Sequence, residues 1–218
     1  MKLHEQLVRG GIINTKCISN PDMPMKRFKL GNSKDFCFFS HDDLSRDMLQ
    51  SGPYHIMRAS NFESMDSFYY DPSGFKRMML VFQTIVSSRF PVKGKGIVAL
   101  LRAVGWLDKA QKDPTRVALM FVCVDESEKV IDRKQPIQWT PAVDGESVTV
   151  IPGIGDPMMT SLGRINVQTL GDFRSKISEL KRSRKDWLLK CVKFEKFEED
   201  QRLEWEMISR MPQYVWKM

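Results

Sequence analysis

The side chains that most often carry out catalysis are few in this sequence and lie far apart. Its three histidines, His4, His41 and His55, stand in separate polar contexts, so their spacing supports neither a metal triad nor a base paired with a nucleophile. Asp42 and Asp43 follow His41, but capping of a helix explains two adjacent aspartates with fewer assumptions than acid–base chemistry does. We therefore expect the histidines to be surface residues.

The sequence also lacks the motifs of the common catalytic and phosphate-binding sites. It contains no G-x-S-x-G and no H-E-x-x-H. The segment Lys93–Gly96 is not a P-loop, because Ile97 stands where that loop needs a serine or threonine for magnesium; we expect a flexible basic lead-in to a helix. The sequence thus predicts a protein that is not an enzyme and uses no cofactor or metal. Its cysteines, which form no C-x-x-C pair, are Cys17, Cys37, Cys123 and Cys191.

Charge is the most informative feature of the composition. Lysine and arginine total 34 against 27 acidic residues, and the formal charge of +7 attracts phosphates, anionic lipid headgroups or acidic proteins. The apolar runs are far shorter than the roughly 20 residues that span a bilayer, and the start lacks an apolar secretion signal, so we expect an intracellular protein. The cations form two groups: Lys2, Arg9, Lys16, Lys26, Arg27 and Lys29, and then Lys181, Arg182, Arg184 and Lys185 within the basic run 174–190.

The pattern of apolar residues predicts an α+β protein. We expect a basic, partly ordered N-terminal arm over residues 1–35, and a domain over 36–218 with a single twisted, mainly antiparallel sheet, a packed helix and a charged helical C-terminal segment. An acidic run over 195–206 is either a solvated helix face or a self-association device. The expected elements are strands at Phe75–Ser88, Arg116–Asp125, Ile137–Thr140 and Ser147–Ile151, helices from Ile97 to near Pro114, at Pro157–Gly163 and at Thr169–Leu180, and an exposed loop at Asn61–Gly74.

One short segment resembles a nucleic-acid-binding module. Ile151-Pro152-Gly153-Ile154-Gly155, followed by an apolar pattern up to Phe173, is similar to a helix-hairpin-helix, in which the hairpin presents backbone amides to a DNA phosphate. In that module Gly153 and Gly155 would form the DNA-binding hairpin. Against it, residues 147–151 alternate like a strand and not like the first helix of the module, and proline-glycine turns before helices are common.

A longer stretch resembles the central region of rhabdovirus matrix proteins of the vesiculovirus type. The likeness covers residues 61–145 and rests on the order of its segments. A Met-Asp loop with an Asp-Pro turn, Met65–Pro72, precedes an apolar strand; Ser88-Arg89-Phe90-Pro91, a helix through Trp106 and a second strand at Val117–Val124 follow.

The resemblance implies a structural protein of the virion, located beneath the envelope and on the inner face of host membranes in the host cytoplasm. Such a protein binds anionic lipid and the viral nucleocapsid through its cations, self-associates and drives budding. It also implies that Met65, with Glu63 and Asp66 beside it, binds a host mRNA-export factor in the nucleus; the alternative is that Met65 folds onto Phe62 or Phe68. The sequence lacks the P-P-x-Y and P-[ST]-A-P motifs that many of these proteins carry. We expect the matrix function first and hairpin-mediated DNA binding as the alternative.

Overall fold

The chain folds into two compact units in a computed structural model. The sheet unit comprises residues 1–139 and 206–218, and the helical unit comprises residues 140–205. The structure describes residues 2–20, 22–23, 25–32, 37–40, 43–50, 54–58, 65–70, 78–85, 91–123, 132–139, 142 and 144–218.

The described residues form ten strands and seven helices. The strands are β1 (Gly11–Cys17), β2 (Lys26–Leu30), β3 (Cys37–Phe39), β4 (Tyr54–Met57), β5 (Ser67–Tyr70), β6 (Met79–Ile85), β7 (Val92–Lys93), β8 (Val117–Cys123), β9 (Ile137–Gln138) and β10 (Gln213–Lys217). The helices are α1 (Lys2–Arg9), α2 (Gly94–Ala103), α3 (Leu107–Lys112), α4 (Asp156–Gly163), α5 (Leu170–Glu179), α6 (Arg182–Val192) and α7 (Phe194–Arg210).

Eight strands form one sheet in the order β2-β1-β10-β8-β6-β5-β4-β3, and β7 pairs with β9 in a small parallel ladder. The late strand β10 lies inside the sheet, where Val215 is opposite Phe121 of β8 in a parallel pair and opposite Lys16 of β1 in an antiparallel pair. Four of the seven pairs of the large sheet are antiparallel and three are parallel. The predicted α+β class, with one large, mainly antiparallel sheet and a helical C-terminal segment, is confirmed.

The two faces of the sheet carry separate apolar cores because successive side chains of a strand point to opposite sides. On one face, side chains of β6, β8 and β10, including Val81 and Leu119, pack with the apolar stripe of α2. On the other face, Phe82 and Met120 belong to the cluster that contains Leu7 of α1. The helix predicted from Ile97 to near Pro114 is divided into α2 and α3 at Gly105, which has a φ of 69°.

The prediction of a partly ordered N-terminal arm is wrong. Of residues 1–35, the structure describes α1, β1 and β2, and both strands pair into the main sheet. In β1, Ile13, Thr15 and Cys17 are buried while the residues between them are exposed. Polar and charged residues alternate with the buried ones, so the segment has the mean composition of an arm but the periodicity of a half-buried strand.

Three local predictions also need correction. Within the predicted exposed loop Asn61–Gly74, the described residues 65–70 include the fully buried strand β5. Lys93–Gly96 is not a flexible lead-in, because Gly94 begins α2 and a β-carbon there would lie 2.9 Å from the ring of Trp139. The predicted strand Ser147–Ile151 contains a 3-10 turn at Val148–Val150 instead. The other predicted strands and helices coincide with β6, β8, β9, α4 and α5.

The helical unit has its own small core. Its buried members come from the segment before α4 and from the helices that follow. Helix α5 begins at a capping box, in which the Thr169 hydroxyl accepts from the amide of Asp172 and the Asp172 carboxylate accepts from the amide of Thr169. The core residues are Ala142, Val148, Ile151, Ile154, Leu162, Val167, Leu170, Phe173, Ile177, Val192 and Phe197.

A polar chain inside the sheet unit links α1 to β4 and β5. His4 Nδ1 lies 2.6 Å from the hydroxyl of Tyr54, which donates to Ser67 Oγ at 3.1 Å. Tyr54 and Ser67 are buried, and burial raises the pKa of Tyr54. Partial burial of the imidazole likewise holds the pKa of His4 below its ordinary value of 6.5, although Asp66 opposes the shift.

This lowered pKa predicts an acid-sensitive attachment of α1. Because the unfolded chain takes up the His4 proton at a higher pH than the folded chain, this contribution to stability is present above pH 6.5 and is lost as the pH falls below it. We expect the free energy of unfolding to decrease between pH 7.5 and 5.5 by less in His4→Gln than in the unchanged protein. Urea unfolding at the two pH values measures this; equal decreases would contradict it.

Candidate functional site

The hairpin before α4 is a tight turn built from proline and glycine. The Ile154 amide donates to the Ile151 carbonyl at 3.2 Å, and Gly153, the third residue of this turn, has a φ of 97°. This arrangement has the features of a type II turn, which favours proline at its second position and needs a residue that tolerates positive φ at its third. Pro152 and Gly153 therefore fit the backbone that they occupy.

The hairpin presents unpaired backbone amides at the start of a helix. The Gly155 carbonyl accepts from the amides of Met158 and Met159, so Gly155 caps α4 without a side chain. Within the described part of the chain, the amides of Gly153, Gly155 and Asp156 have no acceptor. Exposed amides at a helix N-terminus, where the helix dipole is positive, suit an anion.

The core of the helical unit holds the hairpin in place. Ile151 and Ile154 are buried on either side of the exposed Pro152 and Gly153. The segment that leads to the hairpin pairs with the residues just before α5, since the Val148 amide donates to the Gln168 carbonyl at 3.0 Å. A 3-10 turn at Val148–Val150 and a β-bridge between Ser147 and Thr169 precede the hairpin, so within the described residues the first helix of a helix-hairpin-helix is missing, and the resemblance is limited to the hairpin and α4.

Two different electrostatic situations exist along the basic run 174–190. Arg174 forms ion pairs with Asp144 and Glu198, and these interactions raise its pKa although burial opposes them. By contrast, the cations at the start of α6 have no acidic partner among the described residues, and no acidic residue stands in the first turn of this helix. Cations at a helix N-terminus oppose the helix dipole, so they raise the local positive potential. They are Lys181, Arg182, Arg184 and Lys185.

The six cations predicted near the start of the chain do not form one group. Lys16, Arg27 and Lys29 are exposed on one side of β1 and β2. Lys26 is on the other side, where its Nζ lies 4.9 Å from the Phe28 ring and donates to the hydroxyl of Tyr214 at 3.2 Å. The pKa of Tyr214 is raised to about 12 by burial. Arg9 is exposed in the last turn of α1, and Lys2 lies in α1 with a side chain that is outside the described part of the structure.

Met65 and Asp66, two of the three residues of the predicted host-factor loop, lie just before β5 in the sheet unit. Met65 is only 1% exposed and belongs to the same apolar cluster as Phe68, so the prediction of an exposed methionine is wrong. The Asp66 carboxylate accepts from the amide of Thr84 at 2.6 Å, which fixes it beside β6. Glu63 lies outside the described residues. A side chain buried in this way cannot enter a pocket on another protein without opening the core.

Two of the three histidines differ from the surface prediction, and one of the two aspartates predicted to cap a helix can be described. His55 is fully buried and stacks on Phe68 with 4.5 Å between ring centres, and His4 is half-buried. The Asp43 carboxylate accepts hydrogen bonds from the backbone amide and the hydroxyl of Ser40, and the hydrogen bond from the amide lowers the pKa of Asp43. Asp43 thus caps a short turn with Ser40 and not a longer helix. His41 and Asp42 lie outside the described residues.

Across the described ranges, no group of three histidine, cysteine or acidic residues could hold a metal ion, and no helix is long and apolar enough to cross a membrane.

The burial of Met65 yields a test with an internal control. Met65→Ala removes core contacts and leaves a cavity, so it should lower the free energy of unfolding by about 2–5 kcal/mol. Met25→Ala changes a methionine that is 67% exposed and should alter it by less than about 0.5 kcal/mol. Urea unfolding followed by tryptophan fluorescence measures both. Equal effects of the two substitutions would contradict the position of Met65.

Comparisons of the chain with protein-family models, with curated proteins and with solved structures found no match. The hairpin and the charge distribution are therefore the features on which a functional proposal can rest.

Proposed function

We propose that the helical unit binds duplex DNA through the hairpin at the start of α4. The observation that carries the proposal is the pair of exposed glycines, Gly153 and Gly155, whose amides are unpaired in the described structure and precede a helix. A backbone phosphate would accept from these amides and from that of Asp156. The contact would position the protein on the duplex without reading its sequence.

Unneutralised cations in the same unit support this proposal. Lys181, Arg182 and Arg184 are exposed at the start of α6. Each lysine or arginine that meets a phosphate releases condensed counterions, so binding should weaken as salt rises. The bland alternative is a solvated helix face. That alternative does not explain why the cations lie at the N-terminus of the helix, where the helix dipole is least favourable to positive charge.

Bulky residues in the hairpin should weaken duplex binding. The double variant Gly153→Val and Gly155→Val strains the turn and blocks close approach of a phosphate, and hydrogen bonds to a charged group are worth about 1.5–3 kcal/mol each, so affinity should fall at least about 10-fold. Gly145→Val and Gly163→Val is the matched control, since a β-carbon at either glycine meets nothing within 4 Å. Fluorescence anisotropy with a labelled duplex measures both. Unchanged binding by the hairpin variant would move the contact elsewhere.

Asp156 provides a test in the opposite direction. Its exposed carboxylate stands in the first turn of α4, where it would repel a phosphate. Asp156→Asn should therefore tighten duplex binding by about 2- to 5-fold, as expected for a change of about 0.3–1 kcal/mol near a helix end. Glu195→Gln, which removes an exposed charge from the first turn of α7, controls for net charge. Equal gains from the two variants would argue against a phosphate at the hairpin.

A second candidate is the viral matrix function that the resemblance implies. It is favoured by the single large sheet with α2 packed on one face, which is the architecture expected for the predicted matrix-like domain over residues 36–218. As a matrix protein, the chain would lie beneath the envelope of a virion, contact anionic lipid and the nucleocapsid through its cations, and self-associate. The structured β1 and β2, in place of a free arm, and the buried Met65 weigh against it.

The matrix candidate makes demands that differ from those of DNA binding. The protein should bind vesicles that contain phosphatidylserine more tightly than neutral vesicles, less so as salt rises, and should form oligomers as its concentration increases. Vesicle flotation and analytical ultracentrifugation measure these properties. A protein that stays monomeric and ignores acidic vesicles would exclude this candidate.

A further inference from the structure

One face of the two-stranded ribbon formed by β1 and β2 is open and rich in cations. The strands pair antiparallel, with Ile12 opposite Lys29 and Asn14 opposite Arg27. These four side chains are exposed, as is Lys16, whereas the residues between them are buried on the other face against the core that contains Leu7 of α1. The open face thus results from strict alternation along both strands.

The neighbouring strand extends the same positive surface. Val215 of β10 lies opposite Lys16, and Lys217, two residues further on, is exposed. No aspartate or glutamate occurs in β1, β2 or β10. In the described structure, none of Lys16, Arg27, Lys29 and Lys217 has an acidic partner.

Protection of a sheet edge does not account for this charge. Lysine and arginine on an edge strand discourage pairing with other chains, and β2 is an edge. However, β1 and β10 are interior strands, so Lys16 and Lys217 protect no edge. The cluster instead crosses three adjacent strands on one face, as a surface for an extended polyanion would.

The dimensions of the ribbon fit a DNA groove. Two strands about 4.8 Å apart, with a rise of about 3.4 Å per residue, give a strip about 10 Å wide and somewhat over 20 Å long for the seven residues of β1. The major groove of B-DNA is about 12 Å wide and admits a two-stranded β-ribbon. The strip has no neighbouring strand on the side of β2, which is an edge, but on the other side β1 continues into β10, so the groove would have to approach from the β2 edge.

We propose that the β1–β2 ribbon binds in the major groove of duplex DNA and forms a second DNA contact, separate from the hairpin. Arg27 and Asn14, which face each other in the middle of the ribbon, contact base edges, where arginine suits guanine and asparagine suits adenine. Lys16, Lys29 and Lys217 contact phosphates on either side.

The exposed apolar side chains of this region agree with a groove contact. Ile12 is 62% exposed and Met25, which continues the alternation of Arg27 and Lys29, is 67% exposed. Each can contact the methyl group of a thymine, which only the major groove presents. Met25 and Ile12 lie toward opposite ends of the ribbon, so they do not form one apolar wedge of the kind that inserts into a membrane.

A charge-matched comparison tests the ribbon in the full chain. The triple variant Lys16→Gln, Arg27→Gln and Lys29→Gln should lower the affinity for a 20-base-pair duplex by about 10- to 100-fold. It should also reduce the slope of log K against log salt by about 2, since Lys16 and Lys29 each contact a phosphate and each such contact contributes about 0.9. The control Lys112→Gln, Arg133→Gln and Arg210→Gln removes the same charge from exposed positions of the sheet unit. It should change affinity by less than about 3-fold. Equal losses in the two variants, or no loss in either, would overturn the proposal.

Further measurements distinguish this proposal from the hairpin contact and from a lipid-binding surface. If the ribbon variant loses duplex binding while the variant of Gly153 and Gly155 keeps it, the ribbon proposal stands and the hairpin proposal fails; the reverse result sustains only the hairpin. Vesicles of phosphatidylserine and phosphatidylcholine supply the membrane arm. Loss of vesicle binding with unchanged duplex binding in the ribbon variant would overturn the proposal in favour of a lipid surface. Asn14→Ala should reduce the difference in affinity among duplexes of different sequence. An unaltered difference would exclude a base contact by Asn14.

Discussion

The pairing of β10 on both of its sides is the interaction on which the sheet unit depends. Among the described strands, β1 and β2 join the backbone ladder of the sheet through β10, which is antiparallel to β1 and parallel to β8. Gln213, at the start of β10, is buried and its side chain accepts from the amide of Gln135 at 2.7 Å and donates to the carbonyl of Gln135 at 3.1 Å. Loss of these bonds would leave buried polar groups without partners.

The helical unit stands in the sequence between β8 and β10, so the sheet is complete only when the chain has passed through that unit. The apolar layer over α2 includes Val215 of β10 but leaves the same side of β1 and β2 open. A large apolar patch exposed to water on this face would favour aggregation, and the exposed positions of β1 and β2 are instead occupied mainly by cations.

The sequence predicted the parts of the fold whose signals are local. β8 and the first four residues of β6 are continuous apolar runs because they are buried on both faces of the sheet. Helices α4 and α5 follow proline, glycine and threonine signals at their starts. The sequence does not predict β1 and β2, because cations alternate with their buried residues. It does not predict β10 either, because the strands that pair with β10 lie far away in the sequence. Met65 could not be placed, since acidic neighbours suggest exposure while burial depends on distant strands. The hairpin was recognisable from Pro152 and Gly153, whereas the grouping of Lys16, Arg27 and Lys29 on one face required the strand register.

In the proposed complex a DNA phosphate contacts the backbone of the hairpin, and nuclear magnetic resonance of the glycine amides observes that contact directly. On titration of nitrogen-15-labelled protein with a short duplex, the amide resonances of Gly153 and Gly155 should shift progressively and saturate, because their N–H groups gain a charged acceptor. Gly145 and Gly163, which belong to the same unit and also face open space, should move little. Saturating shifts confined to Gly153 and Gly155 are expected if the hairpin binds a phosphate; no shift at these two amides, or equal shifts at all four, would contradict this contact.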